Sequence, residues 1–260
     1  MIQDSVFCIP TAKRPEFLAL CLEKLAKIPD IEQADIRIFL DTCTDERLTD
    51  VEYCRDTFLP VAEIFRADKH VFALSGCWNI LRSLHEGWRT NKEYVFFVEE
   101  DVLVLPTFTK FHWNVHNSGN YFVTCGRRHS SMPLDFYSNP GTCYRHKSLD
   151  HVVPHINDDY FRDTTVYLDK HFPGMKGMDG TLDDGLIRKV QRSVNGKVLC
   201  AEPPVAFHSG FHYYDRLEEY KNKGVTIQER IEYLRKMLPT LTKQSRYTHD
   251  WEPYIEPVGC

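Results

Sequence analysis

Three consecutive acids, Glu99-Glu100-Asp101, close an uninterrupted apolar run, Tyr94-Val-Phe-Phe-Val98. Such a run reads as a central parallel strand covered on both faces. Ligands of open α/β sheets bind outside the carboxyl ends of the strands, which is where these acids fall. Carboxylates repel one another, and each costs several kcal/mol if left uncompensated at low dielectric. A hard divalent cation offsets that repulsion, and its natural anionic partner is a phosphate, so a metal-bridged diphosphate is the simplest joint reading. The competing reading is a solvated acidic turn.

Other residues point to the same edge. Asp41 ends a second expected strand, Ile36-Arg-Ile-Phe-Leu40, although an aspartate there also serves as an ordinary turn starter. Pro10-Thr-Ala-Lys-Arg-Pro15 follows a first apolar run, residues 6–9, and sets Lys13 and Arg14 where a nucleotide would lie. Asp183 and Asp184 open a later helical pattern. Acids in a first turn complement the helix dipole; a carboxylate so placed stays ionised at neutral pH and has a fixed direction, which suits a general base. His208, after Val205-Ala-Phe207, is placed to complete a metal site begun by carboxylates, or else is a buried histidine donating to a carbonyl. His151-x-x-x-His155-x-x-Asp158-Asp159 has metal-like spacing, but Pro154 breaks the helix that would align its histidines.

These residues need a scaffold. Strands are expected over residues 6–9, 36–40, 62–65, 94–98 and 121–125. Helices follow from Pro15 with Phe17, Cys21, Leu25 and Ile28, and from Leu74, Trp78, Leu81 and Trp88. The alternation implies a doubly wound sheet with right-handed crossovers. Residues 126–180 are rich in Pro, Gly, His and Asp and read as long functional loops. Residues 181–194 read as a helix with Leu182, Leu186, Val190 and Val194 on its apolar face. Residues 226–238 read as another, opened by a Thr226-x-x-Glu229 capping box. The tail after Pro239 reads as irregular.

Length favours one large α/β domain. We divide it as 1–225, with a nucleotide-binding half (1–125) and an acceptor half (126–225), plus a C-terminal helix and tail (226–260) packed on the same domain. The net charge of -5 argues against an overall grip on nucleic acid. Nine cysteines form no C-x-x-C pair, which excludes a zinc ribbon or thioredoxin-like site, and the odd number suggests reduced thiols in a cytoplasm. The first fifteen residues lack a signal-peptide pattern, and no stretch approaches the length of a membrane span.

The pieces, in this order, resemble the GT-A glycosyltransferases, and more narrowly the inverting N-acetylglucosaminyltransferase I family and its protein-O-mannose-linked relatives. Phe7-Cys-Ile-Pro with Lys13-Arg14 resembles the first strand and basic turn, Phe39-Leu-Asp41 the second strand end, and Lys69-His70-Val-Phe-Ala-Leu74 the entry to the following helix. Residues 94–108 resemble the strand, E-D-D motif and trailing Pro-x-Phe. Leu182-Asp-Asp-Gly185 falls where the family has W-D-D-W, and Val198-Leu-Cys-Ala-Glu-Pro203 with Phe207-His-Ser-Gly210 follows its late strand and turn. Glu100 replaces the middle aspartate, Leu182 and Gly185 replace the tryptophans, and no membrane anchor is expected.

The resemblance implies a mixed, mostly parallel sheet flanked by helices. It also implies transfer of a sugar from a UDP-sugar to an acceptor hydroxyl with inversion. Asp101 would bind Mn²⁺ or Mg²⁺, and His208, by analogy with the wider fold class, would be its partner. Pro10, Thr11, Arg14, Asp41, His70, Glu99 and Glu100 would surround the nucleotide, and Asp183 or Asp184 would be the base. Acceptors range from a glycan to a hydroxymethylated base in viral DNA; Arg127-Arg128, Arg145-His-Lys147 and Arg188-Lys189 would form a basic rim for the latter. The rival functions are a non-catalytic nucleotide-sugar-binding module and a sugar nucleotidyltransferase. The second needs a glycine-rich phosphate loop that Pro10–Pro15 lacks.

Overall fold

The computed structural model describes residues 2–42, 45–67, 75–128, 133, 135, 137, 141–175, 182–209 and 224–243. His70 and its neighbours, Thr181 and the tail beyond residue 243 lie outside these.

A seven-stranded sheet forms the centre, in the order β3-β2-β1-β4-β7-β6-β8. Its strands are β1 (Ser5–Thr11), β2 (Asp35–Leu40), β3 (Glu63–Arg66), β4 (Tyr94–Phe97), β6 (Tyr121–Cys125), β7 (Thr142–Arg145) and β8 (Lys197–Cys200). All neighbouring pairs are parallel except those of β7, which runs antiparallel to β4 and β6. A two-stranded antiparallel ribbon, β5 (Val102–Val104) with β9 (Ala206–His208), stands beside it. The mixed, mostly parallel sheet flanked by helices is the architecture expected.

Strand alternation divides the core. Phe7, Ile9, Ile36, Ile38 and Phe96 pack on one face with Phe17, Leu18, Cys21 and Leu22 of α1 (Pro15–Leu25). Val6, Cys8, Phe39, Val95 and Phe97 pack on the other with Leu81 and Leu84 of α3 (Ser75–Arg89) and Leu186 and Val190 of α8 (Asp183–Ser193). Phe7 and Phe96 stack at 4.5 Å across the β1–β4 pair. β4 is therefore buried on both faces, as its unbroken apolar run requires.

Several expectations need correction. The described residues of 126–180 are not mainly loop. They hold β7, α5 (His146–Val152), α6 (Asp158–Arg162) and α7 (Thr164–His171). Two of these short helices are capped by side chains, Asn157 accepting from Tyr160 N–H and Asp163 from Val166 N–H, signals lost among polar neighbours. Leu182 and Val194 do not join the apolar face of α8: they are 47% and 37% exposed at its two ends. The last helix, α9 (Ile227–Lys243), opens with the expected reciprocal cap between Thr226 and Glu229 but continues past Pro239. Ile227, Ile231, Leu234 and Leu238 bury it in the core cluster that holds α1. Two helices had no visible period, α2 (Asp45–Phe58) and α4 (Phe108–Ser118).

Gly141, at φ +59°, turns the chain into β7. A Cβ there would lie 2.9 Å from Ala206 Cβ on β9 and 3.0 Å from Phe108, so the glycine lets the ribbon close on the sheet.

Candidate functional site

The acid triplet separates by direction at the carboxyl end of β4. Glu100 turns under the β1–α1 connection. Its carboxylate accepts from the Thr11 hydroxyl, from Ala12 N–H at 3.0 Å and from Arg14 Nε at 2.9 Å. Hydrogen bonds to a charged group are worth roughly 1.5–3 kcal/mol each, which compensates a side chain in a residue only 5% exposed. Burial still raises its carboxyl, with Arg14 and Thr11 pulling the other way.

Asp101 is held from both sides. Arg14 Nη2 lies 2.9 Å from its Oδ2. Ser209 donates its N–H and its hydroxyl to the Asp101 carbonyl, each at 2.8 Å. The ribbon register, Val102 opposite His208, then brings the imidazole beside the acid, with Nε2 3.3 Å from Asp101 Oδ1. That Oδ1 is buried and makes no hydrogen bond. Glu99 adds a third group: one ligand-type atom from each of Glu99, Asp101 and His208 lies within 4.8 Å of the others. Two carboxylates and an imidazole around an unsatisfied buried oxygen suit a divalent first-row cation, so the residues fit the expected metal. Among the described residues this is the one such group.

Asp183 and Asp184 open α8, as expected, close enough to Glu99 for their charges to act on it. Burial raises the Glu99 carboxyl well above its usual range, and the negative charges of Asp101, Asp183 and Asp184 add to the effect. Asp183 is 8% exposed. Burial first, then repulsion from Asp184, push its carboxyl up to about 7, while bonds from its own N–H and from the Cys77 thiol act in the opposite sense. Burial raises Asp184 as well, against the lowering pull of Arg188. For Asp183, burial thus outweighs the helix terminus that was expected to keep it ionised. Asp184 is the more accessible of the two, its side chain 40% exposed, with Arg188 at 3.9 Å and an Oδ1 that has no hydrogen-bond partner.

On the nucleotide side, Pro10 and Thr11 end β1, both buried, and Asp41 lies just past β2 at 4% exposure. Asp41 N–H donates to the Thr11 carbonyl at 3.0 Å, and Asp41 Oδ1 accepts from Thr42 N–H at 2.8 Å. Pro10, Thr11, Arg14, Asp41, Glu99, Glu100, Asp101 and His208 thus gather at the strand ends; His70 lies outside the described residues. The expected basic rim does not assemble. Arg145 borders Tyr94 at the opposite, amino end of β4. Lys189 is 2% exposed and donates to the Met175 carbonyl at 2.7 Å. Arg188, packed over Tyr137, stays near Asp184. Sequence reading missed Ser209 and Asn79, whose polar side chains act on backbone carbonyls and so leave no pattern along the chain.

This is the GT-A glycosyltransferase fold. TarS 1-349 of S. aureus in complex with UDP-GlcNAc superposes with a TM-score of 0.54 at 13% identity, covering 93% of this chain and 67% of that one. The same protein in complex with UDP gives 0.51 at 14% identity, covering 97% and 75%. The mannosyltransferase PcManGT from Pyrobaculum calidifontis, in complex with GDP-Man and Mn²⁺, gives 0.50 at 11% identity, covering 92% and 71%. No protein-family model matches the sequence, and none of the curated proteins searched matches it. Among the described residues no helix is long and apolar enough to cross a membrane.

Proposed function

We propose that the chain is a metal-dependent glycosyltransferase that moves a sugar from a UDP-sugar to an acceptor hydroxyl with inversion, by a single displacement. The observation that carries this reading is the meeting of the Glu99–Asp101–His208 group with the Asp183–Asp184 pair across one cleft of a GT-A fold. An isolated acidic turn would not bury its carboxylates against a second acidic pair, because the cost in like-charge repulsion has no return without a cation.

Glu99, Asp101 and His208 would hold Mn²⁺ or Mg²⁺, and the bound ion would stabilise charge developing on the leaving diphosphate. Arg14 adds positive charge beside Asp101 on the nucleotide side. Thr11 and Asp41, at the ends of adjacent parallel strands, frame the nucleoside. Asp184, whose side chain is 40% exposed, accepts the proton of the attacking hydroxyl. Burial raises both the Asp183 and the Asp184 carboxyls, which makes either a stronger base than an exposed aspartate. The UDP-bearing and Mn²⁺-bearing neighbours are consistent with this donor and this ion.

The test is calorimetric titration of UDP with Mn²⁺ present and absent, followed by UDP-sugar hydrolysis without acceptor. Binding that needs the metal and is abolished in Asp101→Asn is expected. Undiminished binding by Asp101→Asn would remove the metal assignment, and binding without hydrolysis would favour a nucleotide-sugar-binding module.

A further inference from the structure

We infer that the first turns of α3 are a strut that fixes the proposed donor edge against the proposed base, with Asn79 as positioning residue for the one and Cys77 for the other. The inference rests on the glycosyltransferase reading for its catalytic consequence, but its geometry does not.

Successive residues of an α-helix turn by 100°, so positions two apart project about 200° from each other, to nearly opposite sides. Cys77 and Asn79 use that separation. Asn79, 2% exposed, donates from Nδ2 to the carbonyl of Phe39 at 2.8 Å and to that of Thr11 at 3.2 Å. These carbonyls flank the last rung between β1 and β2, where Thr11 pairs with Leu40 and accepts from Asp41 N–H. Thr11 is also the residue whose hydroxyl meets Glu100. The amide therefore ties α3 to the strand ends that carry Thr11 and Asp41, and through Thr11 to the acid triplet.

Cys77 faces the other way. Its sulfur meets both the carboxylate and the backbone N–H of Asp183 at the start of α8, and it takes a hydrogen bond from Tyr160, which is fully buried on α6. Asp183 is thereby held by α3, whose cysteine is itself held by Tyr160, while the Asp184 side chain beside it is 40% exposed.

The far end of α3 is pinned. Gly87 has no room for a Cβ, which would fall 2.5 Å from Cys8 Sγ and 2.8 Å from Val95 Cγ1, so the helix lies directly on β1 and β4. Trp88 Nε1 donates to Asp150 at 2.8 Å, and the Trp88 carbonyl meets His146 Nε2 at 3.0 Å, which joins the helix to α5. A rod seated on the sheet and tied at both ends transmits position rather than absorbing it.

Two measurements on the full chain test this. In steady-state kinetics, Asn79→Ala should raise the donor KM by about tenfold with kcat within about threefold, because it loosens binding geometry alone. Cys77→Val should do the reverse, lowering kcat by about tenfold at unchanged donor KM, with Cys77→Ser restoring most of the loss through its hydroxyl. In amide hydrogen exchange without any ligand, Asn79→Ala should speed exchange at Ala12 and Thr42, and Cys77→Val at Asp183 to Leu186, leaving β4 protected in both. Asn79→Ser, which keeps one donor, serves if the alanine variant does not fold. Kinetic parameters that shift together in both variants, or exchange that rises evenly over the chain, would overturn the strut. A wild-type chain without metal-dependent UDP binding would instead remove the transferase reading, and the exchange pattern would still decide whether α3 couples the two edges.

Discussion

Asp183→Asn should stabilise the ligand-free protein, and by an amount that grows with pH. The carboxyl rises from its usual 3.8 to about 7 in the fold, because it is buried and faces Asp184. Below pH 3.8 it is protonated folded or unfolded, and no penalty exists. Above that, the unfolded chain releases the proton while the folded chain keeps it, so stability falls as pH rises and levels off once the folded group titrates near 7. Three units at about 1.4 kcal/mol each give a limit of about 4 kcal/mol. Glu99 and Asp184 are raised in the same cleft and share that slope, and asparagine still accepts from the Cys77 thiol, so a gain of about 2–4 kcal/mol at pH 8 is expected. At pH 4 the gain should be below about 1 kcal/mol. Urea denaturation of both proteins at four or five pH values from 4 to 8, without divalent ions, measures it. A gap that stays flat with pH, or a variant less stable than wild type at pH 8, would refute the electrostatic account of the cleft.

The remaining predictions follow from the same geometry. Asp184→Asn should leave metal-dependent UDP binding within about threefold but cut turnover by about a hundredfold or more, measured as UDP release with acceptor present. Glu100→Gln, which leaves Arg14 paired with Asp101, should weaken UDP binding less than Asp101→Asn does, as calorimetry would show. His116 is 1% exposed and burial lowers its ring to about 4. Its stabilising neutrality is intact above pH 6.5 and is lost as pH falls toward 4, by about 3 kcal/mol. His116→Gln should flatten that acid limb, and an unchanged limb would place the acid sensitivity elsewhere.

Much of this fold could be read from residue order, because its central strands are strongly patterned. β1 and β4 were visible as apolar runs, since a strand buried on both faces has no polar alternation to confuse it, and β2, β3 and β6 as weaker patterns. Helices that carry polar groups inward were not. α2 buries only Val51 and Cys54, and α4 turns His112 and His116 into the core, where Thr124 and the Cys143 carbonyl receive them. A hydrophobic period cannot show such contacts. Leu182 misled for the opposite reason: its spacing fits the apolar face of α8, but it stands at the N-cap position, one residue before the helix, and opens to solvent beside the two aspartates.

The triplet itself shows how far residue type can go. Three adjacent acids suggested one charge cluster with one purpose. Beyond a strand end, however, neighbouring side chains part company, and the intervening Glu100 swings to Thr11, Ala12 and Arg14 while Glu99 and Asp101 face His208. The middle acid therefore organises the turn that delivers Arg14 to Asp101. The outer two each offer an oxygen to the group that includes His208. This division explains why a glutamate can stand where the resembling family has aspartate: its extra methylene lengthens the reach to the β1–α1 turn without entering the ligand group. It also explains why residue type and analogy could name the histidine while local pattern could not place it. Its place depends on the pairing of Val102 with His208 across more than a hundred residues, a register that no local pattern encodes.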